Sequence, residues 1–138
     1  MKKIISVIIF VVMVISLSAC QIEYTHGVYE ISIRSRCIEN NKVGNEWIKK
    51  FKCDGTIIES GDKITAPLGS KVRVDGIFIE RDKYSDKGNS FTNIILEDGE
   101  IKTFYVEVVE RKGSYAGNKA IWEVEVEVKL IKKKRIRN

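Results

Sequence analysis

Histidine, proline and cysteine are nearly missing from this 138-residue chain, which holds one His, one Pro and three Cys. The lone histidine, His26, stands beside Gly27. That excludes a multi-histidine metal centre and leaves no natural base for a Ser-His-Asp arrangement. Glycine-rich phosphate loops and local motifs for a lysine or thiol nucleophile are absent as well. A pair of carboxylates is enough for glycoside hydrolysis. With 19 Asp and Glu in the chain, however, pairs arise everywhere and point to no hydrolase in particular. The sequence reads as a protein that is not an enzyme. After residue 20 it also lacks any apolar run long enough to span a bilayer, which takes about 20 residues, and any sustained helical period.

The apolar run that does exist lies at the extreme N-terminus. Met1-Lys2-Lys3 is a short positive start, followed by Ile4 to Ile15, apolar except for Ser6. This is the length of a signal-peptide core rather than of a transmembrane helix. Small residues follow at once, ending in Leu17-Ser18-Ala19-Cys20. That tetrapeptide resembles the lipobox of bacterial lipoproteins. The resemblance covers the first twenty residues and implies a signal peptide over 1–19, cleavage after Ala19, and a diacylglycerol thioether on Cys20. It implies export, with the chain held by lipid at the outer face of the cell membrane, or at the outer membrane in a Gram-negative host. Each buried CH₂ contributes about 0.8 kcal/mol, so stable attachment needs two or more acyl chains.

Removing that segment changes the charge. The formal +5 of the whole chain includes Lys2 and Lys3 and six cations in the last ten residues, Lys129, Lys132, Lys133, Lys134, Arg135 and Arg137. Residues 20–128 keep 16 Lys and Arg against all 19 acids, about −3. A nucleic-acid partner, which wants a basic folded face, is excluded. The basic tail over 132–138 suits anionic lipid, where each cation contributes about 1 kcal/mol, or an anionic wall polymer. Two cysteines remain after Cys20, Cys37 and Cys53. An exported, even pair on the apolar parity of adjacent strands suggests a disulfide.

The rest is period-two alternation broken by Gly, Asn and Asp, the pattern of strands and turns. Residues 20–27 form a lipidated tether, and 28–131 form one domain. Strands are expected at Tyr29–Arg34, Glu46–Lys52, Thr56–Glu59, Lys71–Arg81, Ser90–Glu97, Glu100–Arg111 and around Trp122–Leu130. Asp54-Gly55 and Asp98-Gly99 are hairpin turn signals, the second folding 90–97 onto 100–111. In Lys71–Arg81, Val72 and Val74 share one parity and Ile77 and Ile79 the other, so Gly76 reads as a bulge or bend. Seven to eight short strands make an all-β fold. An antiparallel β-sandwich, immunoglobulin-like or a related Greek key, is the expected architecture, with a small closed barrel as the alternative. Glu123, Glu125 and Glu127 alternate with the core positions of the last strand and read as a solvated face.

Two loops stand out. In Glu80–Asn89, the oxygens of Glu80, Asp82, Asp86 and Asn89 suit Ca²⁺, which takes six to eight such ligands, although Arg81, Lys83 and Lys87 compete for the same carboxylates. In Glu110–Asn118, Gly113 and Gly117 flank Tyr115 and present it at a tip. Tyr84, Tyr115 and Asn118 then form an aromatic and polar surface for a glycan, a peptide or a protein. The stretches Val43–Trp47, Asp82–Asp86 and Ser114–Asn118 resemble landmarks of a small bacterial β-domain family, a resemblance that implies no activity. The reading is a lipid-anchored binding module. A Ca²⁺-dependent module and an envelope inhibitor or immunity-type lipoprotein are the alternatives.

Overall fold

The computed structural model describes residues 23–135. Residues 1–22, which include the expected signal peptide and the expected lipidation site Cys20, and residues 136–138 lie outside the described residues. Eight strands follow in order: β1 His26–Asn40, β2 Trp47–Cys53, β3 Thr56–Ile58, β4 Asp62–Pro67, β5 Lys71–Glu80, β6 Asp86–Ile95, β7 Ile101–Val109 and β8 Lys119–Lys134. They form two antiparallel four-stranded sheets, ordered β4-β1-β8-β7 and β3-β2-β5-β6, packed as a sandwich rather than closed as a barrel. The first and last strands are neighbours along their whole lengths, an order that differs from the immunoglobulin constant domain. It belongs among the related sandwiches.

Alternation builds the core. Ala120, Trp122, Val124, Val126 and Val128 of β8 are buried, as are Phe104, Val106 and Val108 of β7 and Tyr29, Ile31 and Ile33 of β1. Across the interlayer gap lie Val72, Val74 and Phe78 of β5 and Cys53 of β2. Trp122 sits at the centre of an aromatic cluster, 5.2 Å from Trp47 edge-on and 5.1 Å from Phe78. Rings packed at such angles gain beyond their buried area. Where β2 leaves the cluster uncovered, Lys49 lays its stem inward. Its Nζ is 4.0 Å from the Trp122 ring centroid and donates to Ser35 Oγ at 3.2 Å. Burial lowers the pKa of that ammonium, and its electrostatic interaction with Cys37 opposes the effect.

Four expectations are corrected. Cys37 and Cys53 are both free: Cys37 is exposed on β1 and Cys53 buried on β2, in opposite sheets. Cys37 lies near the end of β1 beside Trp122, whereas Cys53 lies at the opposite end of the other sheet beside Thr56 and Val74, so shared parity does not bring the sulfurs together. Gly76 is no bulge, because β5 keeps continuous register with both neighbours. It makes room for Phe104, whose ring would lie 3.1 Å from a Cβ there. Ile77 and Ile79 are simply half-buried on the outer face. Asp98-Gly99 does not close a hairpin either. β6 pairs with β5 and β7 with β8, so this turn carries the chain from one sheet to the other. Finally, β8 continues to Lys134, with Lys132, Lys133 and Lys134 opposite Val28, Gly27 and His26. The first three residues of the basic tail are strand.

Candidate functional site

The strand directions sort the loops into two poles. Chain entrance (His26) and the end of β8 share one pole with the turns after β2, β4 and β6. The β1–β2, β5–β6 and β7–β8 loops share the other, about 50 Å away along the sixteen-residue β8 and about 30 Å along the ten-residue β5 and β6, at roughly 3.3 Å per residue. Every candidate binding residue except Asn89 belongs to this second pole.

Three inward rows of side chains end there in carboxylates. On β5 the row Val72, Val74, Gly76, Phe78 ends at Glu80; on β7 the row Phe104, Val106, Val108 continues to Glu110; on β6 the row begins at Asp86. All three are buried, Glu80 to 2% exposure and Glu110 to 8%. Glu80 and Asp86 are direct cross-strand partners on one face, an arrangement in which like charges repel. Among the described residues none of the three joins an ion pair. Asp86 Oδ1 accepts from the Arg111 backbone N at 3.2 Å. Glu80 Oε2 and Glu110 Oε2 are buried without any hydrogen-bond partner. Burial, and then the charges of Asp82, Asp86, Glu110 and Glu46, raise the pKa of Glu80.

The loops are packed onto this acidic layer. Gly44, at φ 108°, lies directly against the Glu80 carboxylate. Its loop is tied by Asn40, whose Oδ1 accepts from Val43 N at 3.0 Å while Nδ2 donates to Gly44 O at 2.8 Å. The β7–β8 loop closes on Glu110 through its own backbone, with Gly117 N donating to Glu110 O at 2.8 Å and Glu110 N to Asn118 O at 2.9 Å.

Above the acids the pole presents aromatics, amides and ammonium groups. Tyr84 and Tyr115 are 47% and 51% exposed. Tyr115 and Asn118 line a groove of 480 Å³ with Asn40, Asn41 and Lys42, and the Lys42 Nζ stands 5.6 Å from the Tyr115 ring centroid. Lys83 and Lys112 stand 5.6 and 5.9 Å from the Tyr84 ring, within cation–π range. No family model matches the chain, and no curated protein or solved structure matches it. The chemistry of this pole therefore has to come from its own residues.

The expected Ca²⁺ set does not assemble. Asn89 points outward from β6, three residues into the strand, and lines a separate cleft with Lys52, Asp75, Ile77 and Lys87. Asp82 is exposed and turns back to accept from Tyr84 N at 2.6 Å. Among the described residues no group of three or more His, Cys, Asp or Glu is arranged to hold a metal ion. Tyr115 and Asn118 do come together, with Tyr84 on the same pole. Sequence reasoning missed the burial of Glu110, although continuing the parity of Phe104, Val106 and Val108 by one more step would have found it.

Proposed function

We propose that this protein is an exported, lipid-anchored β-sandwich that binds its ligand without transforming it, holding the loop pole away from the membrane. The separation of the two poles carries the reading. The chain enters at His26, opposite Lys134, so a lipid on Cys20 and the cations of the β8 end meet the bilayer together. Acyl chains and basic residues are the two signals whose combination holds a protein firmly on an anionic surface. The groove then faces outward. A tyrosine ring flanked by Asn118, Asn41 and a lysine suits a glycan, which stacks a sugar face on an aromatic and bonds its hydroxyls to amides. The carboxylates are covered by the loops, out of a substrate's reach, which favours binding over hydrolysis. A second reading follows from Lys83 and Lys112 around Tyr84: an acidic patch on a partner protein, as an envelope inhibitor would engage.

Two measurements test this. Radiolabelled palmitate should enter the wild-type chain and be lost in Cys20→Ala, which should also leave the membrane fraction. The purified domain on a glycan array should bind a subset of wall or surface sugars, with at least tenfold loss in Tyr115→Ala and Asn118→Ala. Unchanged binding in both variants would remove the groove from the reading, and an array with no hits but capture of an acidic protein dependent on Tyr84 would favour the second.

A further inference from the structure

The buried acids at the loop pole have no role in ligand contact, yet they are the least comfortable groups in the fold. Buried polar atoms nearly always find partners, and those that do not call for an explanation. Here two carboxylate oxygens, Glu80 Oε2 and Glu110 Oε2, lack one, and a third acid, Asp86, is paired across the ladder from Glu80. We propose that this cluster is a pH-sensitive latch: with Glu80 neutral the three loops are held shut over the acids, and ionisation of Glu80 loosens them.

The geometry supplies the coupling. Glu80 is faced by Glu46 from the β1–β2 loop, Asp82 from the β5–β6 loop, Asp86 from β6 and Glu110 from the end of β7. Each loop is thus represented around one carboxyl, and each neighbour carries the same sign. The cations nearest in sequence, Arg81 and Arg111, are exposed and form no ion pair with it among the described residues. A neutral carboxyl is tolerated in such a place far better than an anion. An anion, by contrast, is repelled by all four neighbours and is pressed against Gly44, whose position is fixed by the Asn40 clamp. Water has to enter to solvate it, and it can enter only by displacing the loops. A metal ion would be the other way to neutralise the cluster, but the acids are not arranged around a common centre.

The sign is definite. An acid whose folded pKa is raised holds its proton in the folded chain when the unfolded chain has released it. Stability therefore falls as pH rises from the ordinary value of 4.5 through the raised value, and stays low above it. The latch concerns the loops themselves and holds whether or not the groove takes a sugar.

The experiment uses the mature domain over about pH 4.5 to 8, as wild type, Glu80→Gln and the exposed control Glu107→Gln, with EDTA or millimolar Ca²⁺. Expected is a higher melting temperature for Glu80→Gln than for wild type near pH 8, with the difference closing toward pH 4.5. The control should show no such convergence. Amide protection at Val43, Arg111 and Gly117 should fall about tenfold or more with rising pH in the wild type and stay level in Glu80→Gln. Titration of the Glu80 carboxyl carbon by NMR in the wild type covers the case in which the variant fails to fold. A Glu80 carboxyl that titrates at its ordinary value overturns the proposal. So does a Ca²⁺-induced rise in the wild-type melting temperature that is lost in Glu80→Gln, because the cluster would then be a metal site.

Discussion

Gly88 offers the sharpest test of how the two sheets meet. It lies on the inward row of β6, and a Cβ built there would run into the Glu107 carbonyl of β7, with Val108 Cγ2 a further obstacle at 2.9 Å. β6 and β7 belong to different sheets and share no ladder, so this close approach is pure packing between layers. Gly88→Ala must push a backbone, not a flexible tip. Overpacking costs about 1–3 kcal/mol, and a backbone obstacle places this case near 3. Alanine recovers roughly 0.5–1 kcal/mol by restricting the unfolded chain. The net loss is about 2 kcal/mol, and at roughly 4 °C per kcal/mol for a domain of this size the melting temperature should drop about 8 °C. Gly76→Ala meets ring carbons of Phe104 at 3.1 and 3.2 Å; a ring can slide, so its loss should stay under about 1 kcal/mol. Thermal melts of both variants, confirmed by urea midpoints, decide the matter. If Gly88→Ala melts within about 2 °C of wild type, or if Val108→Ala rescues it, the carbonyl is not the obstacle and the layers do not approach as described.

Phe78→Ala should cost about 3–5 kcal/mol in urea denaturation, since the ring is fully buried and supports both Phe51 and Trp122; a loss under about 2 would mean that the aromatic cluster closes over the gap. In the mature domain carrying Cys20→Ser, a thiol reagent should modify one native cysteine, Cys37, promptly. Cys53, whose thiol pKa is raised by burial and then by Asp54, should react only on unfolding, and a chain with no native thiol would instead indicate a bridge. Arg34→Ala should change stability by less than about 1 kcal/mol, and Arg36→Ala should leave the melting temperature essentially unchanged, in melts at two salt concentrations. Their bonds to Glu127 and Glu123, at 3.0 and 2.9 Å, are exposed on the Arg side, 69% for Arg34, where ion pairs contribute little.

The sandwich was legible because its clearest strands carry one parity throughout. Trp122, Val124, Val126 and Val128 announce both the strand and its buried face, and Asp54-Gly55 announces a hairpin that the structure contains, pairing Cys53 with Thr56 and Phe51 with Ile58. Asp98-Gly99 carries the same two letters and does something else. A turn dipeptide fixes a reversal of the backbone, whereas the choice of partner depends on which edge is free, and β5 and β8 had already taken β6 and β7. On β5 the outer face was apolar enough at Ile77 and Ile79 to imitate a change of parity. That misreading hid the inward position of Glu80, because the row from Val72 through Phe78 leads straight to it. The candidate site suffered from the same cause. Asp82 and Asn89 are close to Glu80 and Asp86 in sequence, but Asn89 has the opposite parity on β6, where alternate residues go to opposite faces, and Asp82 lies past the end of β5, where parity no longer aims a side chain inward.

What joins the two poles is the pairing of β1 with β8. These are the longest strands, they are adjacent from end to end, and they are the strands that carry the chain's entrance and the basic end. Their far ends, Asn40 and Lys119, open into the two loops that form the groove. A ladder of this length has little freedom to bend between its ends, since its inner face is buried along Ile31, Ile33, Val124, Val126 and Val128. Any orientation imposed at the His26–Lys134 end is therefore imposed on the groove as well. The loops are held differently: Val43 anchors the β1–β2 loop in the core, and beyond it the loops close over the buried acids. The fold thus combines a stiff shaft with a head whose closure depends on one proton, and a loss of the head's order need not weaken the shaft. Melting at the loop pole ahead of global unfolding, seen as loop amides exchanging by local opening while those of Val126 and Val128 exchange only with the whole domain, is the behaviour this division requires.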